Sequence, residues 1–318
     1  MNILKSKKGE LLLLLAAFIW GTSYIFQKMG MDYVGPFTFG FFRFCIGALA
    51  LVPVILLFDR RAGGSSPIDD ISQRGFFPQF TDRTLLIGSI LCGLTQFGAG
   101  SMQQIGLIYT TAGKAGFITS MHIVIVPVLM IFLRRKVSLP TWIGVALAVF
   151  GMYLLCITDG FSISLGDGLV FGCAFIYAIQ LLLIDYYAVR TDPIRLAALQ
   201  FLIGGLLSGV CMLIFEDLQW SSVLACAVPI LYTGFLEVAA AYTLEIFGQQ
   251  TTSPAIAAII LSFESVFAAL SGAMFLGEHM TGREVTGCVL MMTAFLVTQL
   301  AGFIGSRRSA GEDNARPD

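Results

Sequence analysis

The chain has little charge: Asp, Glu, Lys and Arg together make up 12% of its 318 residues. Soluble globular domains carry about 25% charged residues, so this chain lacks the polar surface that a water-soluble fold of its size needs. Hydrophobic residues make up 57% of the chain, and its mean hydropathy is +0.84. The composition therefore excludes an ordinary soluble protein and indicates an integral membrane protein.

The chain also lacks the residues that several kinds of chemistry require. It has two histidines, and its seven cysteines show no C-x-x-C or other metal-ligand spacing. The motifs H-E-x-x-H and G-x-S-x-G and a phosphate-binding glycine loop are absent. A net charge of -1 and the lack of a basic stripe argue against a nucleic-acid partner. We therefore expect no enzyme activity, no metal site and no cofactor.

What the chain does contain is a series of apolar segments, each long enough to cross a hydrocarbon layer of about 30 Å. Most of the connections between them are short, so successive helices are expected to run antiparallel. The exception is residues 59–84, which are predicted to form a mobile surface loop. Ten helices are predicted, at residues 10–31, 36–58, 85–107, 113–133, 139–157, 166–188, 195–215, 224–247, 253–276 and 281–303.

The distribution of Lys and Arg predicts the orientation in the membrane. With the N-terminus in the cytoplasm, 15 of the 19 basic residues fall on the cytoplasmic side, three lie within helices and only Arg283 lies outside. We therefore predict a multi-pass protein of the plasma membrane with both termini cytoplasmic. The cytoplasmic basic residues are Lys5, Lys7, Lys8, Arg60, Arg61, Arg74, Arg83, Arg134, Arg135, Lys136, Arg190, Arg195, Arg307, Arg308 and Arg316.

An internal repeat is visible when two stretches are compared. TTAGKAGFITSMHIVIVPVLMIF, from Thr110, aligns with TTSPAIAAIILSFESVFAALSGA, from Thr251. A unit of five helices is odd in number, so two such units would insert with opposite topology, as in many secondary transporters. The predicted organisation is a first repeat over residues 1–157, a second over 158–303 and a polar cytoplasmic tail over 304–318.

The sequence resembles the EamA-type branch of the drug/metabolite transporter superfamily. The matching segments include WGTSYIFQKMGMDYVGPFTFGFFRF, QQIGLIYTTAGKAGFITSMHIVIVP and AYTLEIFGQQTTSPAIAAIILSFESVFAALSGAMFLGE. The resemblance implies an all-α membrane protein with ten helices in two inverted five-helix repeats around a central cavity. It also implies transport of small metabolites without ATP. An aromatic residue is usual in the family at the position of His122, and Gln at that of Glu245, so neither position takes a role from the resemblance.

Three ionisable residues fall near the middle of predicted helices: Glu264, Glu237 and His122. An ionisable group at the centre of a spanning helix costs roughly 2.5 to 3.5 kcal/mol if it faces lipid, so these side chains should face a cavity or a partner. Glu264 is the residue we expect to matter most, binding a solute amine or a proton; its alternative role is to tie two helices together. His122 could carry a proton, or be a neutral histidine bonded to a neighbouring helix.

Basic residues within helices lie nearer the outer face. Arg43 and Lys114 are predicted to form a positive vestibule that attracts a carboxylate or phosphate on the solute. The alternative for Arg43 is a structural ion pair with Asp32 or Glu264. Lys28, like Lys114, could instead extend its amine to the lipid headgroups.

Hydrogen-bonding residues at the same depth complete the predicted site. Gln103, Gln104, Tyr24 and Tyr242 lie in the family segments and are predicted to line the cavity, although such groups can also join helices. The sequence thus predicts a secondary transporter, an exporter of small polar metabolites such as amino acids or related compounds, working by alternating access. An intramembrane enzyme or a channel is the alternative. The predicted partners are the solute, the bilayer and a coupling ion or proton, and the chain could form a homodimer.

Overall fold

A computed structural model describes residues 3–61, 82–110, 112–156, 164–275, 281–283 and 285–297. Over these residues the secondary structure is helical, and no strand occurs in them. The helices are α1 (Ile3–Gly30), α2 (Pro36–Arg61), α3 (Arg83–Tyr109), α4 (Ala112–Thr119), α5 (His122–Phe132), α6 (Leu139–Cys156), α7 (Leu165–Tyr187), α8 (Pro193–Phe215), α9 (Trp220–Ala225), α10 (Ala227–Tyr232), a π-helix (Thr233–Ala241), α11 (Tyr242–Gln249), α12 (Pro254–Leu261), α13 (Glu264–Phe275) and α14 (Val285–Val297).

Seven helical segments of the described chain are long and apolar enough to cross a membrane. Three shorter apolar helices accompany them, at Leu139–Leu154, Pro254–Ala268 and Val285–Val297. The chain is therefore a multi-pass, all-helical membrane protein. The seven segments are Lys7–Gly30, Pro36–Phe58, Arg83–Tyr109, Ala115–Phe132, Leu165–Tyr187, Pro193–Phe215 and Ala227–Gln249.

The distribution of polar and apolar side chains is that of a protein surrounded by lipid. Large apolar side chains cover the outside: Leu49 is 68% exposed, Leu213 77% and Phe132 79%. By contrast, Arg43 and Gln96 are each 1% exposed. Lipid solvates apolar side chains and does not form hydrogen bonds, so polar groups at this depth are placed against one another inside the bundle.

Three of the predicted windows are not continuous α-helices as predicted. The window at 113–133 is interrupted at Ser120 and Met121, and the window at 253–276 is interrupted at Ser262 and Phe263. At both breaks the backbone changes to i→i−3 hydrogen bonds, from Met121 N to Ile118 O and from Phe263 N to Ile260 O, each 3.1 Å long. Such tightening of a helix is common at functional positions.

The third interruption is the π-helix, which spans nine residues, Thr233–Ala241, within the window at 224–247. π-helices are rare, and they occur often at functional sites because the wider turn redirects side chains. This one contains Glu237. The predicted mobile loop at 59–84 is helical at its two ends, because α2 continues to Arg61 and α3 begins at Arg83. The remainder of that prediction lies outside the described residues.

Helix packing brings the two halves of the chain together. The helix α1 packs against α13, α11 and the π-helix, while α3 packs against α7 and α8, and α2 packs against α8 and the π-helix. Small residues allow these close approaches. Gly21 of α1, for example, lies so close to α13 that a Cβ atom there would be 2.5 Å from the carbonyl oxygen of Glu264. The polar faces of α1, α3, α7 and the interrupted helices therefore converge inside the bundle.

Candidate functional site

A central cavity of about 50 Å³ lies where these helices meet. Most of its wall is polar or aromatic, although the helices that form it are predominantly apolar. The lining residues are Trp20, Ser23, Tyr24, Gln27, Gln103, Thr119, His122, Tyr177, Gln180, Leu181, Glu237, Tyr242, Glu245, Leu261 and Glu264.

Glu264 connects the two interrupted helices. It is the first residue of α13, and its Oε1 accepts hydrogen bonds from Ser120 Oγ at 3.0 Å and from Tyr24 OH at 3.4 Å. Ser120 lies at the other break, and its Oγ is also 3.0 Å from Ser265 Oγ. The two breaks therefore touch each other at the wall of the cavity, and Glu264 is 4% exposed there.

Glu237 is held by a buried ion pair. Arg43 Nη1 donates to Glu237 Oε1 at 3.0 Å, and the two side chains are 1% and 5% exposed. The guanidinium also lies 4.7 Å from the ring centroid of Phe44 and 5.5 Å from that of Phe39. Arg43 contacts Glu237 from outside the cavity lining, so one carboxylate of the site has its counter-charge in the surrounding protein.

A hydrogen-bonded network joins α3, α7 and α11 across the cavity. Gln96 Nε2 donates to Tyr242 OH at 3.1 Å, and Gln180 Nε2 donates to Gln96 Oε1 at 2.7 Å. Tyr242 OH also lies 3.4 Å from Tyr177 OH, which in turn donates to Gln103 Oε1 at 3.4 Å. Because these hydroxyl and amide groups are hydrogen-bonded to one another, the network fixes the positions of the side chains that face the cavity.

Six of the nine predicted site residues come together at this cavity. Besides Glu264 and Glu237, they are Gln103, Tyr24, Tyr242 and His122. Gln103 Nε2 donates to Tyr24 OH at 3.2 Å, which links α3 to α1. His122 Nδ1 lies 2.9 Å from the carbonyl oxygen of Thr119 in the adjoining helix break.

The other three predicted residues do not contribute side chains to the described lining. Gln104 is buried on another face of α3, where its Nε2 lies 3.8 Å from Met31 Sδ, because a one-residue step rotates the side chain by about 100° from Gln103. Arg43 lies outside the lining and contacts Glu237. Its ion-pair partner is therefore Glu237 and not Asp32 or Glu264, the two partners that were predicted for it. The side chain of Lys114 lies outside the described residues.

Glu245 is the main lining residue that the sequence prediction omitted. It is 4% exposed, and its Oε1 accepts a hydrogen bond from Gln249 Nε2 at 2.8 Å. The resemblance gave this position no role, because Gln is usual there in the family. The signal that could have identified it is helical spacing, because Tyr242 and Glu245 are three residues apart on one helix face. Tyr177 and Gln180 on α7 are also three residues apart, and Trp20, Ser23 and Gln27 on α1 follow one another at intervals of three and four residues.

Lys28 does not extend to the headgroups in this structure. Its Nζ donates to the carbonyl oxygen of Leu107, and it lies 3.3 Å from the carbonyl oxygen of Thr110. These carbonyl groups are at the C-terminal end of α3, where a cation is favoured by the helix dipole. Lys28 therefore joins the ends of α1 and α3.

A second pocket, of about 390 Å³, lies at the loops that precede α2 and follow α8. Asp32 and Asp217 line it, and its described lining contains no lysine or arginine. Arg43, which was predicted to form an outer vestibule with Lys114, is buried against Glu237 and does not reach this pocket.

The cavity is suited to binding a solute, and the described residues around it contain no set suited to holding a metal ion. Carboxyl, hydroxyl, amide and aromatic groups converge on an enclosed space inside the bundle, which is the usual composition of a small-molecule site. Ionisable residues inside membrane helices generally mark a path for a solute or an ion.

Comparison with known proteins assigns the family. The model of the EamA-like transporter family matches residues 7–157 and 164–300. An uncharacterized transporter of Archaeoglobus fulgidus is 30% identical over 298 residues, which cover 92% of this chain and 86% of the relative. The uncharacterized transporter YwfM of Bacillus subtilis is 26% identical over 305 residues, covering 94% of this chain and 96% of the relative.

A solved crystal structure has the same fold, with a TM-score of 0.73, 18% sequence identity, and coverage of 93% of this chain and 97% of the other. Sequence and fold agree over nearly the whole chain. The chain belongs to the EamA-like transporter family of the drug/metabolite transporter superfamily.

Proposed function

We propose that the protein is a secondary transporter that exports small polar metabolites through the central cavity by alternating access. The observation that carries this proposal is the convergence of three buried carboxyl side chains, Glu237, Glu245 and Glu264, on one enclosed cavity. Buried carboxyl groups are costly in a membrane, so their collection at one cavity is understandable if they bind a solute or an ion. Transport without ATP then requires a gradient of the solute or of a coupling ion or proton.

The helix contacts support two inverted repeats of five membrane helices, one over residues 1–157 and the other over 158–303. In an inverted repeat, the symmetry relates the first helix of one half to the first helix of the other half, the second to the second, and so on. Each contact between two helices should therefore have a counterpart between the two corresponding helices. Contacts of α3 with α7 and α8 are matched in this way by contacts of the π-helix with α1 and α2. Contacts of α1 with α13 are matched by contacts of α7 with α4 and α5.

The two helix breaks also correspond under this exchange. Ser120 and Met121 interrupt the fourth predicted helix, and Ser262 and Phe263 interrupt the ninth. The family model itself matches the chain in two segments, residues 7–157 and 164–300. In inverted-repeat transporters, interrupted helices commonly form the site near the membrane midplane, and the halves rock around it.

The proposed orientation places both termini in the cytoplasm and the protein in the plasma membrane. The support is the division of basic residues, 15 on the cytoplasmic side and one outside. In this orientation the second pocket, lined by Asp32 and Asp217, faces outward.

Flux measurements on proteoliposomes that contain only this protein test the proposed function. Labelled amino acids and amines are loaded inside, and release is followed with and without unlabelled solute outside. We expect saturable release that is accelerated by outside solute, with the solute chemically unchanged. Release that stays linear with concentration, or the appearance of a reaction product, would contradict a carrier.

A further inference from the structure

Resting on the proposed function, we infer that the central cavity binds a small organic cation with primary ammonium groups and no carboxylate. The inference starts from the charges in the wall. Three carboxyl groups line the cavity, whereas His122 is the one basic residue in its described lining. Arg43 pairs with Glu237, and the partners of Glu245 and Glu264 among the described residues are neutral.

The neutral partners of these two acids are hydroxyl and amide donors. Glu264 receives hydrogen bonds from Ser120 and Tyr24, and Glu245 receives one from Gln249. No Lys or Arg among the described residues lies within ion-pair distance of either carboxyl group. A cationic solute would supply the missing positive charge, and a charge-assisted hydrogen bond to a carboxylate is roughly twice as strong as a neutral one.

Hydrogen-bonding atoms that lack a partner point to the same chemistry. Three buried acceptors have no donor in the part of the chain that the structure describes. They are Gln27 Oε1, Gln180 Oε1 and Glu245 Oε2, on residues that are 3%, 2% and 4% exposed. Trp20 Nε1 is a donor that has no acceptor among the residues that the structure describes. Buried acceptors without partners are costly, so a ligand rich in N–H donors gains most from this wall. An ammonium group has three donors and no acceptor.

Aromatic rings complete the environment of a cation. Trp20, Tyr24, Tyr177 and Tyr242 line the cavity, and the ring centroids of Trp20 and Tyr242 lie 4.8 Å apart. Tyr242 precedes Glu245 by three residues, so a ring and a carboxyl group lie on the same face of α11. Ammonium groups are attracted to aromatic faces, and ring faces together with carboxylates form a common site for amines.

The same features disfavour a solute with a carboxylate. Such a group would be placed among Glu237, Glu245 and Glu264, and the guanidinium of Arg43 is already bonded to Glu237. A chain with an ammonium group at each end instead balances the two acids that have no cation.

Three probes with the same four-carbon chain separate the possibilities: putrescine, with two ammonium groups; γ-aminobutyrate, with one ammonium and one carboxylate; and succinate, with two carboxylates. Binding to the purified full-length protein is measured by calorimetry and by the shift in melting temperature. We expect putrescine to bind at least about tenfold more tightly than γ-aminobutyrate, with succinate the weakest. Equal or tighter binding of either carboxylate probe, or no binding of putrescine, would overturn the inference.

Variants then locate the binding. Glu245→Gln and Glu264→Gln should each weaken putrescine binding by about tenfold. Asp185→Asn is the matched control, because Asp185 pairs with Arg135 at 2.6 Å outside the described lining of the cavity and should leave binding unchanged. If neither Glu variant can be purified in folded form, the ranking of the three probes on the unaltered protein decides the matter.

The inference and the proposed function fail separately. Putrescine binding without flux of any solute would contradict the transporter and leave the amine site. Saturable flux of γ-aminobutyrate or succinate by a protein that does not bind putrescine would overturn the amine site and leave the transporter.

Discussion

Glu264 both joins helices and lines the cavity. Replacing one of its carboxyl oxygens by an amide nitrogen, as in glutamine, separates its structural role from its chemical role. The carboxyl oxygen Oε1 accepts bonds from Ser120 and Tyr24, which a glutamine oxygen could also accept. Only the carboxyl group, however, can become charged or release a proton. Its role as structural glue and its role in transport are therefore distinguishable by one substitution.

We predict that Glu264→Gln gives a folded, membrane-inserted protein whose transport rate falls by at least about tenfold, equivalent to about 1.4 kcal/mol. The reason is that the amide keeps the shape and the acceptor but loses the charge. Initial flux rates in proteoliposomes across a range of pH provide the measurement. Near-normal flux at every pH would leave Glu264 as a helix tie alone. Gln104→Ala, on the other face of α3, is the control and should change flux little.

A buried ion pair makes a second residue-level prediction. Arg43→Gln leaves the Glu237 carboxylate without its guanidinium, and removal of one partner of a buried pair costs about 3 to 5 kcal/mol. Glu237→Gln leaves the guanidinium unpaired in the same way. We expect both single variants to melt at lower temperature than the unaltered protein, and the double variant Arg43→Gln/Glu237→Gln to recover much of the loss. Melting curves in detergent measure this, and strictly additive losses would argue against coupling between the two residues.

At the scale of the elements, the close approach of α1 to α13 positions Tyr24 and Glu264 relative to each other. A Cβ atom on Gly21 would lie 2.5 Å from the Glu264 carbonyl oxygen and 2.6 Å from Phe267 Cβ. Distances this short are not tolerated, so the two helices would have to separate.

We therefore predict that Gly21→Ala lowers the melting temperature, with a loss of about 1 to 3 kcal/mol, and reduces flux. Gly168→Ala is the matched control, because a Cβ atom there has no atom within 4 Å. Alanine favours a helix over glycine by up to about 1 kcal/mol, so the control should be neutral or slightly stabilising. The opposite ranking of the two variants in thermal melts would contradict the packing.

How much of each element the sequence could predict depended on whether the signal was local. Apolar run length identified the helical regions, and the ends of most agree with the windows within a few residues, because length and hydropathy are properties of one segment. The breaks at Ser120 and Ser262 were missed, since a residue's hydropathy does not reveal a change of hydrogen-bond register. The π-helix at Thr233–Ala241 was missed for the same reason.

The site residues, too, were predictable only where the signal lay within one segment of the sequence. Glu237 and Glu264 were predicted because an acid within an apolar helix is conspicuous, and both line the cavity. The partner of Arg43 was not predictable, because the pairing joins α2 to the π-helix, 194 positions along the chain. Gln104 was included wrongly, because a family segment does not state which helix face a residue occupies.

At the scale of the whole molecule, the account depends on the cavity being the path of the solute. The described side chains of its wall are enclosed, with Ser23, for example, only 1% exposed. Alternating access requires that such a position becomes open to one side of the membrane and then to the other, as the two halves move.

The most direct measurement is the labelling of Ser23→Cys by a membrane-impermeant maleimide in right-side-out and in inside-out vesicles, on a background without the native cysteines. We predict slow labelling in both orientations, loss of flux in proportion to labelling, and protection by transported solute. Ser89→Cys, which is equally buried but outside the described lining of the cavity, should label much more slowly and be unaffected by solute. Labelling of Ser23→Cys in one orientation only, with flux unaffected, would contradict transport through this cavity.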